Sequence, residues 1–90
     1  MKMNTLDKRE FFLKSFLDSL FIEKGLSKNT VSAYKTDIMS FIKWSMQQKI
    51  NIINISIGSF NKYLSYLKKS GIQPSSINRK ISSIKAYYYY

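Results

Sequence analysis

The chain has 90 residues, of which 44% are hydrophobic, enough for a single core and a single domain. Fifteen basic residues against five acidic ones give a formal charge of +10, which points to a polyanionic partner rather than to any particular fold. With no cysteine and no histidine, disulfides, thiolate or imidazole zinc sites and His-based nucleophilic or acid–base catalysis are all excluded, so neither a cofactor nor a metal is expected.

Residues 1–5 read as a flexible lead-in. From Leu6, the positions Leu13, Phe16, Leu17, Leu20 and Phe21 follow helical spacing, with Thr5 as a candidate cap and Gly25 as a stop. Phe11, Phe12 and Ile22 fall off this stripe, and either widen the core face or dock on a neighbour. Ser27 is a good N-cap for a second helix, running to about Lys49, with Val31, Tyr34, Ile38, Phe41 and Ile42 as its core stripe and Trp44 also inward. The opposite face, Asn29, Ser32, Thr36 and Lys43, offers small hydroxyl and amide groups that let a helix approach a phosphate backbone closely.

Residues 50–57 are rich in Ile and Asn, and β-propensity alone favours a strand there. With no second run to pair with, this stretch is expected to be an extended linker anchored by buried isoleucines. Ser56 then caps a third helix over residues 57–70, with Phe60, Tyr63, Leu64 and Leu67 inward and Gly71 as its stop. Pro74 suits the first turn of a fourth helix, whose Ile77, Ile81, Ile84 and Tyr88 share one side. Ser75, Arg79, Ser82, Ser83 and Ala86 occupy the far side, flanked by Lys80 and Lys85. No stop signal follows residues 87–90, so the chain is expected to be cut from something longer. The fold expected is all-α, a bundle of four helices.

All five acids lie in the first 37 residues, and the eight basic residues after Asp37 have no acid following it to neutralise them. No apolar run approaches the roughly 20 residues of a membrane span, and the N-terminus lacks the features of a signal peptide. A cytoplasmic protein with no membrane partner is the expectation. Lysines spread over several helices, rather than opposite one apolar face, argue against a membrane-surface helix.

Two blocks carry a resemblance. LSKNTVSAYKTDI at residues 26–38, continued by Phe41 and Trp44, resembles the S-x-N-T…Y…D-L…F…W pattern of the N-terminal, core-binding (SAM-like) domain of tyrosine recombinases, the Xer and phage-integrase family. SSINRKISSIKAYY at residues 75–88 is similar to the S-S-I-x-R-x-L-S-A-L-R-x-F-Y helix of that domain. The resemblance covers about residues 8–90 and assigns residues 6–90 to a core-binding domain that ends before the catalytic one.

What the resemblance implies is half of a C-shaped clamp. The core-binding domain lays helices across the major groove of double-stranded DNA, and a second domain cleaves through a phosphotyrosine. The catalytic arginines, histidine and tyrosine belong to that second domain, so this chain is expected to be non-catalytic and residues 87–90 are not the nucleophile. The parent is expected to act as a tetramer on DNA and the isolated domain to be a monomer.

Ser27, Lys28, Asn29, Thr30 and Ser32 at the start of the second helix are expected to meet phosphates, helped by the positive end of the helix dipole, with Thr36 and Lys43 extending that face. Ser75, Ser76 and Ser83 on the fourth helix join them, with Lys80 and Lys85 neutralising phosphates. Arg79 is the candidate for reading guanine through its planar fork. Lys85 stands where the family often has a second arginine, keeping the charge without the bidentate geometry. The competing reading is a helical protein-interaction module with a basic surface, using Phe11, Phe12 and Ile22.

Overall fold

The computed structural model describes residues 5–90, with side chains from residue 12 onward. It contains helices α1 (Thr5–Ile22), α2 (Lys28–Gln47), α3 (Ile57–Lys69) and α4 (Pro74–Tyr89), with a single 3-10 turn, Ile52–Asn54, between α2 and α3. The expected all-α, four-helix architecture is therefore observed. The lead-in expected over residues 1–5 falls on residues 1–4, which lie outside the described residues, and on Thr5, already the first residue of α1. The side chain of Phe11 lies outside them as well.

Local signals place the helix ends. The Ser27 side chain accepts a hydrogen bond from the Thr30 amide at 3.2 Å, and Ser56 does the same for Ser59 at 3.1 Å, each satisfying an amide that the helix leaves unpaired. Asn51 caps the 3-10 turn by accepting from the Ile53 amide at 3.0 Å. Pro74 opens α4 at a position where a missing amide costs nothing.

The helix exits share one device. At the end of α3, Gly71 (φ 79°) lets Ile72 N–H reach back to the Leu67 carbonyl at 3.2 Å. The α2 exit has the same pattern, Ile50 N–H to Ser45 carbonyl at 2.8 Å, but the left-handed residue there is Lys49 (φ 57°). Gly25 (φ 64°) follows α1, where Leu26 N–H closes on the Leu20 carbonyl.

α2 packs against both α1 and α4, and α3 packs against α4. The core between them holds Leu13, Phe16 and Leu20 from α1, Ile38, Phe41, Ile42 and Trp44 from α2, Tyr63 and Leu67 from α3, and Ile77 and Ile84 from α4. Ile52 is buried as an anchor of the connecting segment, with Ile50 and Ile55 packed beside it, whereas Ile53 and Ile57 face solvent.

Two expectations on core membership fail. Phe21 continues the α1 stripe in sequence but is 45% exposed, because α1 is one turn from its end there. Tyr88 is partly exposed rather than buried. Its hydroxyl nevertheless donates to the Ile52 carbonyl, pinning the end of α4 to the 3-10 turn. Among the described residues no helix is long and apolar enough to cross a membrane.

Candidate nucleic-acid interface

The polar side of α2 is narrow and continuous. Ser32, Lys43, Thr36, Asn29, Gln47 and Ser40 fall within about 80° of arc on the 3.6-residue wheel, and all six are exposed. Lys28 is exposed at the helix start, and Thr30 is partly covered, its hydroxyl accepting from the Ser27 hydroxyl at 3.0 Å. Thr36 returns its hydroxyl proton to the Ser32 carbonyl at 3.1 Å, which leaves its oxygen available outward. None of these side chains is acidic, and no acidic residue lies in the first turn of α2.

At the edge of this stripe the sequence reading missed the most structured group in the domain. Asp37 is fully buried, yet it is charged and paired across 42 positions of chain. Arg79 grips it through two nitrogens, Nε to Oδ2 at 2.9 Å and Nη2 to Oδ1 at 2.8 Å. Lys80 Nζ reaches Oδ1 at 3.2 Å. Ser83 Oγ stands 3.3 Å from Oδ2 and 2.9 Å from the Lys80 carbonyl, so its single proton serves one acceptor at a time. The hydrogen bonds that Arg79 donates to Asp37, reinforced by the negative charge there, raise the Arg79 pKa above its ordinary value.

This network bears on four expectations and overturns two of them, the exposure of Ser83 and the lack of internal neutralisation. Ser83 is fully buried and presents nothing to a partner. The side-on edge of the Arg79 fork is engaged by Asp37, while its side chain remains 45% exposed and three of its five N–H groups, the end-on pair among them, are uncommitted. Lys80 is mostly covered, at 12% exposure, and gives one N–H to Asp37 while lining a cleft with the rest of its ammonium group uncommitted. The basic C-terminal half does have internal neutralisation, supplied by the one acid at its border. On α4, Ser75 and Lys85 are exposed and Ser76 is partly covered. Lys85 lies about 120° around the helix from Arg79, beside Ile57 and Tyr88, and so belongs to a different side of α4.

A signal for Asp37 existed. It sits at i+3 from Tyr34 and i−4 from Phe41, inside the apolar stripe, where a lone carboxylate requires a cation from elsewhere in the chain.

A cleft of about 320 Å³ opens where the polar stripe of α2 meets α3 and α4, with Ser40, Lys43, Gln47, Tyr63 and Lys80 among its walls. Tyr63 is completely buried, packed edge-on against Phe41 with ring centroids 5.0 Å apart and tilted against Trp44 at 5.0 Å. Its hydroxyl has no hydrogen-bond partner among the described residues. Burial, with the Asp37 charge nearby, pushes its pKa up to about 12, so it remains a proton donor.

The Phage integrase, N-terminal SAM-like domain family matches residues 13–90, nearly the whole of the described chain. The chain belongs to that family. It is 43% identical over 77 residues to a tyrosine recombinase XerD of Rickettsia prowazekii (strain Madrid E), a match covering 86% of this chain and 25% of that protein. A XerD of Rickettsia bellii (strain RML369-C) is 40% identical over the same length, with the same coverage. A XerD of Proteus mirabilis is 29% identical over 87 residues, 97% of this chain and 28% of that one. The chain thus spans about a quarter of the length of these relatives. No solved structure matches it. The SAM-like domain accounts for both sequence blocks: the first supplies the α2 cap, the polar stripe and Asp37, and the second supplies the Arg79, Lys80 and Ser83 that meet it.

Proposed function

We propose that this SAM-like domain is the non-catalytic, DNA-binding part of a tyrosine site-specific recombinase, contacting the major groove and phosphate backbone of the recombination site with α2 and α4. The observation that carries this reading is the acid-free polar stripe of α2, lying beside a seam at which Arg79 of α4 is half exposed. Ser27, Lys28, Asn29, Thr30, Ser32, Thr36 and Lys43 are the α2 contacts, and Ser75, Ser76 and Arg79 those of α4. Lys85 acts on phosphates further around the duplex. Arg79, held by Asp37 along one edge, approaches DNA through its uncommitted end-on N–H groups, a fork that suits a phosphate or a guanine edge. Binding occurs in the cytoplasm, with a parent protein assembled as a tetramer on DNA and the isolated domain monomeric.

Half a clamp binds near the non-specific range, roughly 10⁻⁴–10⁻⁶ M. Titrating the domain with a short duplex at two salt concentrations, read by amide shifts, tests the assignment. Shifts concentrated at residues 27–43 and 75–85, with affinity falling steeply as salt rises, are expected. Shifts confined to α1 with no salt dependence would instead favour a protein-docking role for its exposed Phe21 and Ile22.

A further inference from the structure

We propose that the cleft between α2, α3 and α4 is a phosphate-binding pocket in which the Tyr63 hydroxyl, Lys43 and Lys80 hold one phosphate group, a phosphodiester of the bound duplex. The inference rests on the DNA-binding reading above and extends it to α3, a helix that neither sequence block includes.

Three observations converge on it. The first is continuity: Ser40, Lys43 and Gln47 carry the polar stripe of α2 directly into the cleft. The second is charge. Asp37 is the only carboxylate in the surrounding network and is met by both Arg79 and Lys80. On the cleft wall itself stand two cations, Lys43 and Lys80, and no carboxylate. Lys80 commits one N–H to Asp37 and retains two more, and Lys43 is exposed.

The third is the buried Tyr63 hydroxyl without an acceptor. Its ring packs between Phe41 and Trp44 as a phenylalanine would. A hydroxyl stranded there is a net cost to folding unless a ligand oxygen accepts from it. Ser70, also on the wall, has already given its proton to the Tyr66 carbonyl, so the hydroxyls of Tyr63 and Tyr66 are the donors that α3 brings, and of the two Tyr63 is the buried one. A phosphate oxygen suits this set, because it accepts from several directions and is favoured by flanking ammonium groups.

The test compares the wild-type domain with Tyr63→Phe and Lys43→Gln, using a short duplex at two salt concentrations and, separately, inorganic phosphate. Tyr63→Phe should leave thermal stability equal or higher while weakening duplex binding about three- to tenfold, the loss typical of a hydrogen bond to a charged acceptor. Lys43→Gln should flatten the logarithmic salt slope by about 0.9, one phosphate contact. Inorganic phosphate should shift the Tyr63 ring signals in the wild type. If the wild type binds duplex with a steep salt slope and both variants match it, the pocket is overturned and the DNA-binding reading survives. If duplex does not bind but inorganic phosphate still moves Tyr63, the pocket takes free phosphate and the DNA-binding reading falls. If neither ligand has an effect, both fall.

Discussion

A buried carboxylate between two cations raises the question of which partner matters most. Asp37 is fully buried while the Arg79 side chain is 45% exposed, so the two ends of the same ion pair differ in what their removal leaves behind. Asp37→Ala strands Lys80 at 12% exposure without a counter-charge and should cost about 3 kcal/mol. Arg79→Ala leaves Asp37 still paired to Lys80 and within reach of Ser83, and after screening of the exposed guanidinium it should cost only about 1 kcal/mol. Urea unfolding of the two variants measures the asymmetry, and equal losses would contradict it. Two tyrosines give a second residue-scale expectation. Burial pushes both Tyr63 and Tyr88 up to about 12, whereas an unfolded tyrosine titrates near 10. The folded state therefore keeps protons that the unfolded chain releases between those values. Their stabilising effect is complete below pH ~10 and is lost as pH rises toward ~12, by about 2 kcal/mol for the fully buried Tyr63. Tyrosinate absorbance should show these two of the seven tyrosines titrating late.

The elements show where local rules suffice. Ser27, Ser56, Gly25, Gly71 and Pro74 mark helix ends by chemistry confined to a few neighbouring residues, and each stands at the end expected of it. The exit of α2 departs from this pattern. Lys49 occupies the left-handed position that Gly71 occupies after α3, at φ 57° against 79°, with the same two closing hydrogen bonds. A side chain bearing a Cβ is disfavoured there, so Lys49→Gly should raise stability by about 0.5–1 kcal/mol, net of the looser unfolded chain. A rise in the midpoint of thermal unfolding is the readout. Helix α4 shows where the helical wheel misleads. A wheel assumes one apolar face, but α4 is flanked by α2 and α3 together. Its buried arc therefore broadens to take in Ser83 and most of Lys80, which apolar spacing alone assigns to the outside and flank. The partner of Asp37 was illegible for a related reason: it is set by tertiary approach, 42 residues away, and no window of local sequence contains both, although the acid's place within the apolar stripe was itself a signal. The α2 stripe, by contrast, depends only on 3.6-residue periodicity, and four of its members, Asn29, Ser32, Thr36 and Lys43, were readable from it, with Ser40 and Gln47 completing it in the structure.

For the whole molecule, the Cα trace measures 34 × 34 × 18 Å, a slab about two helices thick. α2 is gripped by α1 on one side and α4 on the other, and the Asp37 network ties it to α4. Native-state amide exchange should accordingly find α2 and the middle of α4 opening only with global unfolding, while α1 opens at lower free energy. Amides of residues 37–45 should exchange at least about tenfold more slowly than those of residues 12–20, and similar rates would mean that α1 is integral to the same cooperative unit. The tie also has a consequence across generations. A lineage that lost the carboxylate at position 37 first would bury an unopposed lysine, and one that lost both cations first would bury an unopposed acid. Drift at these sites is therefore channelled through Lys80, the open position of the fourth-helix pattern, whose loss the two-pronged Arg79 grip on Asp37 covers, so substitutions there should precede any at Asp37. Residues 37 and 79 should be inherited together, however far the rest of the surface diverges to follow a different DNA site.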